Sequence, residues 1–489
     1  MPVRRRRSLA ASHRSRAELY QSPLAARYAS RGMAAVFSAA RRAITWRRIW
    51  LALAEAQHEL GLPISSRQIQ ALKARLASVD FAAVARHEKR VRHDVMAHLH
   101  AFGDLAPSAK PILHLGATSM DIVDNADLII MRDALMLVRE WLLTVVVALA
   151  DVARKHRKLP CLGFTHFQPA QPTTLGKRAA TWCWDFVRDL EAVDALLRDL
   201  RFRGVRGATG TQASFLKLFK GDAARVRRLE KLVAAKLGFD ACEPVTGQTY
   251  SRKVDAQVVA VLANVATSVH KFANDMRLLA NLNEVDEPAA SSQVGSSAMA
   301  YKRNPMLCER ATGLARFVIS LAQSVFQTAA EQWLERTLDD SSNKRLVIPE
   351  SFMATDGMLQ IVVHVAQGLM VHPRVMRSRL LAELPFIATE DILMAAAAAG
   401  GDRQELHERI RVHARAAADQ VKQHGRPNDL LERLRRDPAF ASIRFDRLMN
   451  PGAYVGLAVE QVDDFLKSIV APLKRRHRRT ARRQVEMEV

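Results

Sequence analysis

A chain of 489 residues, 49% hydrophobic and 25% charged, has room for two to four domains of roughly 100–200 residues and is too apolar to stay disordered. Gly (21) and Pro (18) each make up about 4% of the chain, below average usage, so turns are few and long helices are expected. The net charge of +23 suggests a polyanion binder, but about half of the excess sits in two terminal runs, residues 1–16 and 474–489.

In chain order, residues 1–19 read as a basic solvated tail and 20–118 as an N-terminal helical domain. The clustered Arg4–Arg7 does not suit an amphipathic transit helix, and no apolar stretch follows it as a secretory signal requires. Within 119–371, Leu128, Met131, Leu135, Val138, Leu142, Val145 and Leu149 recur at spacings of three and four, predicting a helix over Asn125 to Lys155. Further helices are expected from about Thr174 to Arg201, Ser251 to Asn283, Cys308 to Gln332 and Pro349 to Val371. Together they predict an elongated central bundle in an all-α protein with no substantial sheet. Residues 372–473 form a C-terminal helical domain, and 474–489 a second basic tail. The apolar run Trp141 to Ala150 is well short of the ~20 residues that span a bilayer, so no membrane is expected. Cys161, Cys183, Cys242 and Cys308 form no C-x-x-C pair and read as reduced, buried thiols of a cytoplasmic protein.

Three polar segments interrupt the helices: Leu115–Asn125, Leu162–Gly176 and Ser291–Pro305. Polar loops at the ends of rigid helices are where catalysis usually sits. In the third, the small residues Gly295, Ser296, Ser297 and Ala298 precede Lys302 and Asn304. A hydroxyl beside cationic and amide donors can remove a proton next to a carboxylate, because those donors stabilise the developing charge. A Ser-rich linker is the plain alternative. In the second, His166 follows Thr165 and can supply a proton near neutral pH, or serve as a hydrogen-bonded structural histidine. Arg92, His93 and Asp94 form a cluster, with His98 and His100 close behind, whose spacing does not match a zinc motif. Arg336, Ser341 and Arg345 surround Asp339 and Asp340, suited to phosphate or carboxylate, or else to a surface ion-pair network. No Walker A or G-x-G-x-x-G motif is present, so neither a nicotinamide cofactor nor nucleotide hydrolysis is expected; with no zinc spacing among the histidines or cysteines, no metal is expected either, and elimination or addition beside a carboxylate fits best.

GSSAMAYKRNP (Gly295–Pro305) resembles the signature loop of the fumarase/aspartase superfamily. RHDVMAHLH (Arg92–His100), GFTHFQPAQPTTLGKR (Gly163–Arg178), FRGVRGATGTQASFLKLF (Phe202–Phe219), TGQTYSRKVD (Thr246–Asp255) and ERTLDDSSNKR (Glu335–Arg345) resemble the adenylosuccinate lyases of animal type, in order from about Tyr20 to Leu473. The resemblance implies three helical domains, a homotetramer built through the central bundle, active sites shared between subunits, and fumarate release from two purine nucleotide precursors. It implies Ser296 as general base, His166 as general acid, Glu309 as the partner of the catalytic histidine, and Lys302 with Asn304 on the succinyl carboxylates. His93 joins this catalytic set. Arg27, Tyr28, Arg92, Asp94, Thr118, Ser119, Thr165, Gln248, Arg310, Arg336, Ser341 and Arg345 fall on substrate-binding positions. Three departures stand out: Ala300 where the signature has Pro, Met120–Val123 where the relatives have Cys-Tyr-Val-Gly, and the basic tails, which have no family counterpart. Another fumarate-releasing lyase of the superfamily is the alternative within the enzyme class. Outside it, the alternative is nucleic-acid binding by the basic tails of a lyase scaffold.

Overall fold

The structure, a computed structural model, describes residues 20–289, 298–299 and 301–485. Ser296, the expected base, and Ala300 lie outside the described residues, as does the tail 1–19. The N-terminal part consists of a π-turn at Leu24–Tyr28 and helices α1 (Arg31–Val36), α2 (Ala39–Glu59), α3 (Ser66–Ala74), α4 (Phe81–Val91) and α5 (Asp94–Leu105). Serines start three of these helices: Ser30, Ser38 and Ser65 each accept a hydrogen bond from the N–H three residues on.

Five long helices then build the bundle: α6 (Ser119–Lys155), α7 (Leu175–Asp199), α10 (Lys253–Asn281), α11 (Met306–Ala330) and α12 (Asp340–Gly368), with the short α8 (Ala213–Leu218) and α9 (Ala223–Lys236) between α7 and α10. Their apolar stripes meet as the periodicity requires; Trp141, Leu142, Phe186, Val265 and Leu359 are fully buried in one continuous core. Each such side chain contributes about 1.5–3 kcal/mol through area removed from water. Helix α12 is long and apolar enough to cross a membrane, but 83% of its apolar window is buried inside the bundle, so it is the central core helix.

Several features differ from the sequence reading. Helix α6 begins at Ser119 rather than Asn125, because the Asp121 carboxylate accepts the Thr118 N–H at 2.7 Å and caps the first turn. The segment Leu162–Gly176 is largely a hairpin, β1 (Pro160–Thr165) and β2 (Gln168–Thr174), paired antiparallel with a bulge between Leu162 and Phe164. A second small ribbon pairs β3 (Val285–Asp286) with β4 (Met370–Val371). Helix α12 starts at Asp340, nine residues before the expected Pro349, which it carries inside. Three of the four cysteines are buried as expected; Cys242 is only half-buried.

Beyond β4, α13 (Pro373–Ile387), α14 (Thr389–Ala398), α15 (Arg403–His424), α16 (Leu430–Arg436) and α17 (Phe445–Leu448) close a separate small core around Ile392, Leu406, Leu430, Leu434 and Phe440. Helices α18 (Ala458–Phe465) and α19 (Ala471–Arg476), with the π-turn Leu466–Val470 between them, return to the main core through Val462, Val470 and Leu473. The sequence reading leaves residues 474–489 in solvent. Their described part, 474–485, instead packs in places on the bundle: His477 is buried 2.9 Å from Asp194, and Arg483 rests on α6.

Candidate active site

One cleft of about 890 Å³ gathers much of the expected substrate set. Arg92, His93, Asp94, Ser119, Arg336, Ser341 and Arg345 line it, with Phe37, Trp46, Met131 and Ile348 as apolar wall. Most of these polar groups arrive near the ends of helices, and Arg336 comes from the loop between α11 and α12. Arg92 terminates α4 in the left-handed region (φ 51°), and its N–H bonds Glu88 O at 2.7 Å. That sharp exit makes His93 the cap of α5, where its Nε2 lies 3.4 Å from Ser119 Oγ at the start of α6. Asp94 accepts from Arg345 Nη2 at 3.2 Å, which ties α5 to α12. Arg336 Nη1 donates to Gln248 Oε1 at 2.8 Å. Gln248 is itself fixed, donating from Nε2 to Ala208 O (2.9 Å) and from its backbone to Glu335 O (3.0 Å). Gly247 is required there, since a Cβ would lie 2.7 Å from Glu335 O.

Beneath the cleft lies a buried charge network that the sequence reading missed. Arg252 donates from Nε to Asp340 Oδ2 (2.7 Å) and from Nη1 and Nη2 to the two oxygens of Asp124 (3.2 and 3.1 Å). Lys344 Nζ lies 2.9 Å from Asp127 Oδ2 and 3.4 Å from Asp124 Oδ1. Burial alone would raise the Asp124 carboxyl, but Arg252 and Lys344 overcome it and hold that group below the usual carboxylate range. Asp340, read from sequence as part of either an anion-binding cluster or a surface ion-pair network, is instead a buried partner of Arg252 that ties the start of α12 to α6 and to the segment before α10. Removing one partner from such a network leaves an uncompensated buried charge and costs about 3–5 kcal/mol. The signal was present in TGQTYSRKVD and ERTLDDSSNKR, but spacing alone does not tell a buried Arg from an exposed one. A similar clamp fixes the loop after α7. Asp121 pairs with Arg203 and accepts the backbone N–H of Arg206 (2.7 Å), while Thr118 donates to the same carboxylate.

His98, in the cluster after Arg92, does not line the cleft but is half-buried behind its wall. It sits 5.0 Å from the Trp46 ring, and burial with help from Arg42 and Arg47 pushes its pKa down to about 4. It is neutral at physiological pH.

The remaining expected residues lie elsewhere on the chain. His166 and Phe167 (φ 53° and 56°) form the two-residue turn of the β1–β2 hairpin, the geometry that matches strand twist, and Thr165, His166 and Gln168 are exposed at the tip. This hairpin follows the C-terminal end of α6, whereas Ser119 and the cleft are at its N-terminal end. Helix α6 has 37 residues, about 55 Å at 1.5 Å each, and a six-residue strand reaches only about 20 Å. His166 therefore cannot reach the cleft of its own chain. Arg310 and Tyr28 form a third group, the guanidinium 5.8 Å from the ring centroid, with Tyr28 backed by Gly357 of α12 about 25 Å along from Asp340. Glu309 lies beside Arg277 at 4.0 Å. Arg27 and Lys302 are exposed, and Asn304 O accepts the Met306 N–H (2.8 Å) at the start of α11.

Comparison with known proteins agrees with this architecture. A lyase family model matches residues 37–320, and a model described as the adenylosuccinate lyase C-terminus matches 385–465. The chain is 49% identical to adenylosuccinate lyase of Schizosaccharomyces pombe over 92% of its length and 95% of the relative's. It is 46% identical to that of Schistosoma mansoni over 93% and 96%. Among solved structures, a fumarate lyase from Mesorhizobium sp. BNC1 superposes with a TM-score of 0.77 at 28% identity, covering 92% of this chain and 99% of that one. The hairpin, the cleft and the buried network thus stand on a helical lyase scaffold, and the chain belongs to the adenylosuccinate lyase family.

Proposed function

We propose that this chain is a C–N lyase that releases fumarate from adenylosuccinate, giving AMP, and from succinylaminoimidazolecarboxamide ribotide, giving AICAR, in purine nucleotide biosynthesis in the cytoplasm. One observation carries the reading: seven of the expected site residues, six substrate contacts and His93, line a single cleft of about 890 Å³ and bring three guanidinium groups to it. That volume is within the range of small-molecule sites. In the proposed reaction Ser296 takes the proton from the succinyl carbon beside a carboxylate, and Lys302 and Asn304 stabilise the resulting carbanion. The electron pair then forms the fumarate double bond as the C–N bond breaks, and His166 protonates the departing nitrogen. Arg336, Arg345 and Gln248 hold the nucleotide, and His93 with Ser119 orients the succinyl group.

The family resemblance implies a homotetramer with 20–118, 119–371 and 372–473 as the three domains of each chain, and the separation of His166 from the cleft along α6 supports sites shared between subunits. Glu309 then orients a catalytic histidine from another subunit. The test is an absorbance assay for fumarate release by the purified protein beside Ser296→Ala and His166→Ala. Both variants are expected to lose about 10²–10⁴-fold in turnover, the usual share of a general acid or base, while still assembling. Parent-like turnover in Ser296→Ala would remove the proposed base.

A further inference from the structure

We propose that residues 477–485, the described end of the basic C-terminal run, form an arm that positions the substrate segment Leu24–Val36, with Arg483 as its positioning residue. The inference rests on the reading of Arg27 and Tyr28 as substrate contacts. Arg483 docks on α6 by three contacts. Its backbone N–H donates to Thr144 Oγ1 (3.1 Å), its Nη1 donates to Glu140 Oε2 (3.2 Å), and its guanidinium lies 5.3 Å from the Trp141 ring centroid. It also reaches α1, since a Cβ on Gly32 would stand 3.0 Å from its Nη2. Two further residues anchor the arm: His477 is buried beside Asp194, and Val485 packs against the main core.

What lies under Arg483 connects it to the substrate segment. The Trp141 indole N–H donates to Asp356 Oδ1 at 2.7 Å. The same buried carboxylate accepts the Ser30 N–H (2.5 Å) and hydroxyl (3.1 Å), and Gln360 bridges it (3.1 Å) to the carbonyl of Tyr28 (3.3 Å). Ser30 in turn caps α1 by accepting the Met33 N–H at 3.2 Å. Burial raises the Asp356 carboxyl, whereas its bonds to Ser30 and Trp141 and the charge of Arg483 favour the ionised form. The carboxylate that holds Tyr28 and Ser30 in place thus depends in part on a cation delivered by the C-terminal run. Without it a buried acceptor loses support, and the segment it organises loosens.

Arg483→Ala is expected to raise KM about five- to ten-fold with kcat within about two-fold, the signature of lost binding rather than lost chemistry. Hydrogen exchange should speed up for the amides of 24–36 and stay unchanged in α10. Arg483→Lys, which keeps the charge, should recover most of both effects. Unchanged exchange over 24–36 overturns the proposal, as does faster exchange there with KM unaltered. Equal loosening of α10 also overturns it, because that marks a general loss of stability. A parent inactive on adenylosuccinate would sink the functional reading, while exchange over 24–36 would still decide whether the arm holds that segment.

Discussion

Asp189 of α7 is buried in the bundle facing Ser268 of α10, and one of its carboxylate oxygens has no hydrogen-bond partner. Burial pushes its pKa from the ordinary 3.8 up to about 7; Asp185 adds to the rise, and Ser268 and Arg188 oppose it. Between those two values the folded chain binds a proton that the unfolded chain has released, so this group's contribution to stability falls as pH rises through the window. Above about 7 both states are ionised, and the contribution is flat. Asp189→Asn removes the titration. Its stability relative to the parent, from urea unfolding at a series of pH values, should therefore grow by about 1.4 kcal/mol per pH unit from about 4 to about 7 and then level off. A pH-independent difference would mean that the carboxyl titrates normally in the fold.

At the scale of elements, Gly176 sets how the hairpin leaves the bundle. A Cβ there would lie 2.4 Å from Arg157 Cα and 2.5 Å from Ala153 O, so the start of α7 rests directly on the backbone at the end of α6. Gly176→Ala must push the two helices apart. The expected cost is about 1–3 kcal/mol, seen as a lower urea midpoint, with a fall in kcat because His166 hangs between these helices. An unchanged midpoint would mean that the junction yields freely. Most long helices were legible because their buried faces are continuous: α6, α7, α10 and α11 follow apolar stripes that periodicity detects. The hairpin was not, since Pro169 and Pro172 depress strand propensity and its tip is solvated, leaving no apolar alternation to count. The first nine residues of α12 were missed for a related reason. Asp340 to Ile348 are mainly polar, and ion pairs from Lys344 and Asp340 to α6 and to Arg252 hold that stretch, which periodicity cannot register. Of the site, residue identities came from motifs. Their division among three places came only from the lengths of the helices that carry them.

In the proposed reading the whole molecule shares its chemistry between chains, and the length of α6 is the reason. It holds Ser119 and the cleft at one end and the root of the hairpin at the other, so the proposed site would take His166 from one copy and Arg345 from another. Shared sites place a quantitative demand on mixed assemblies. His166→Ala spoils every hairpin of its own chain and leaves its cleft intact; Arg345→Ala does the reverse. In each pure assembly all sites carry a defect. After dissociation, mixing at equal ratio and reassembly, a site with both wild-type contributions should form by chance about one time in four for a closed symmetric oligomer. Fumarate release should then recover to about a quarter of the parent rate, far above either variant alone. Activity equal to the mean of the two variants, with subunit exchange verified by differently tagged chains, would place His166 and Arg345 in one chain's site, and α6 would have to bend back on itself to allow it.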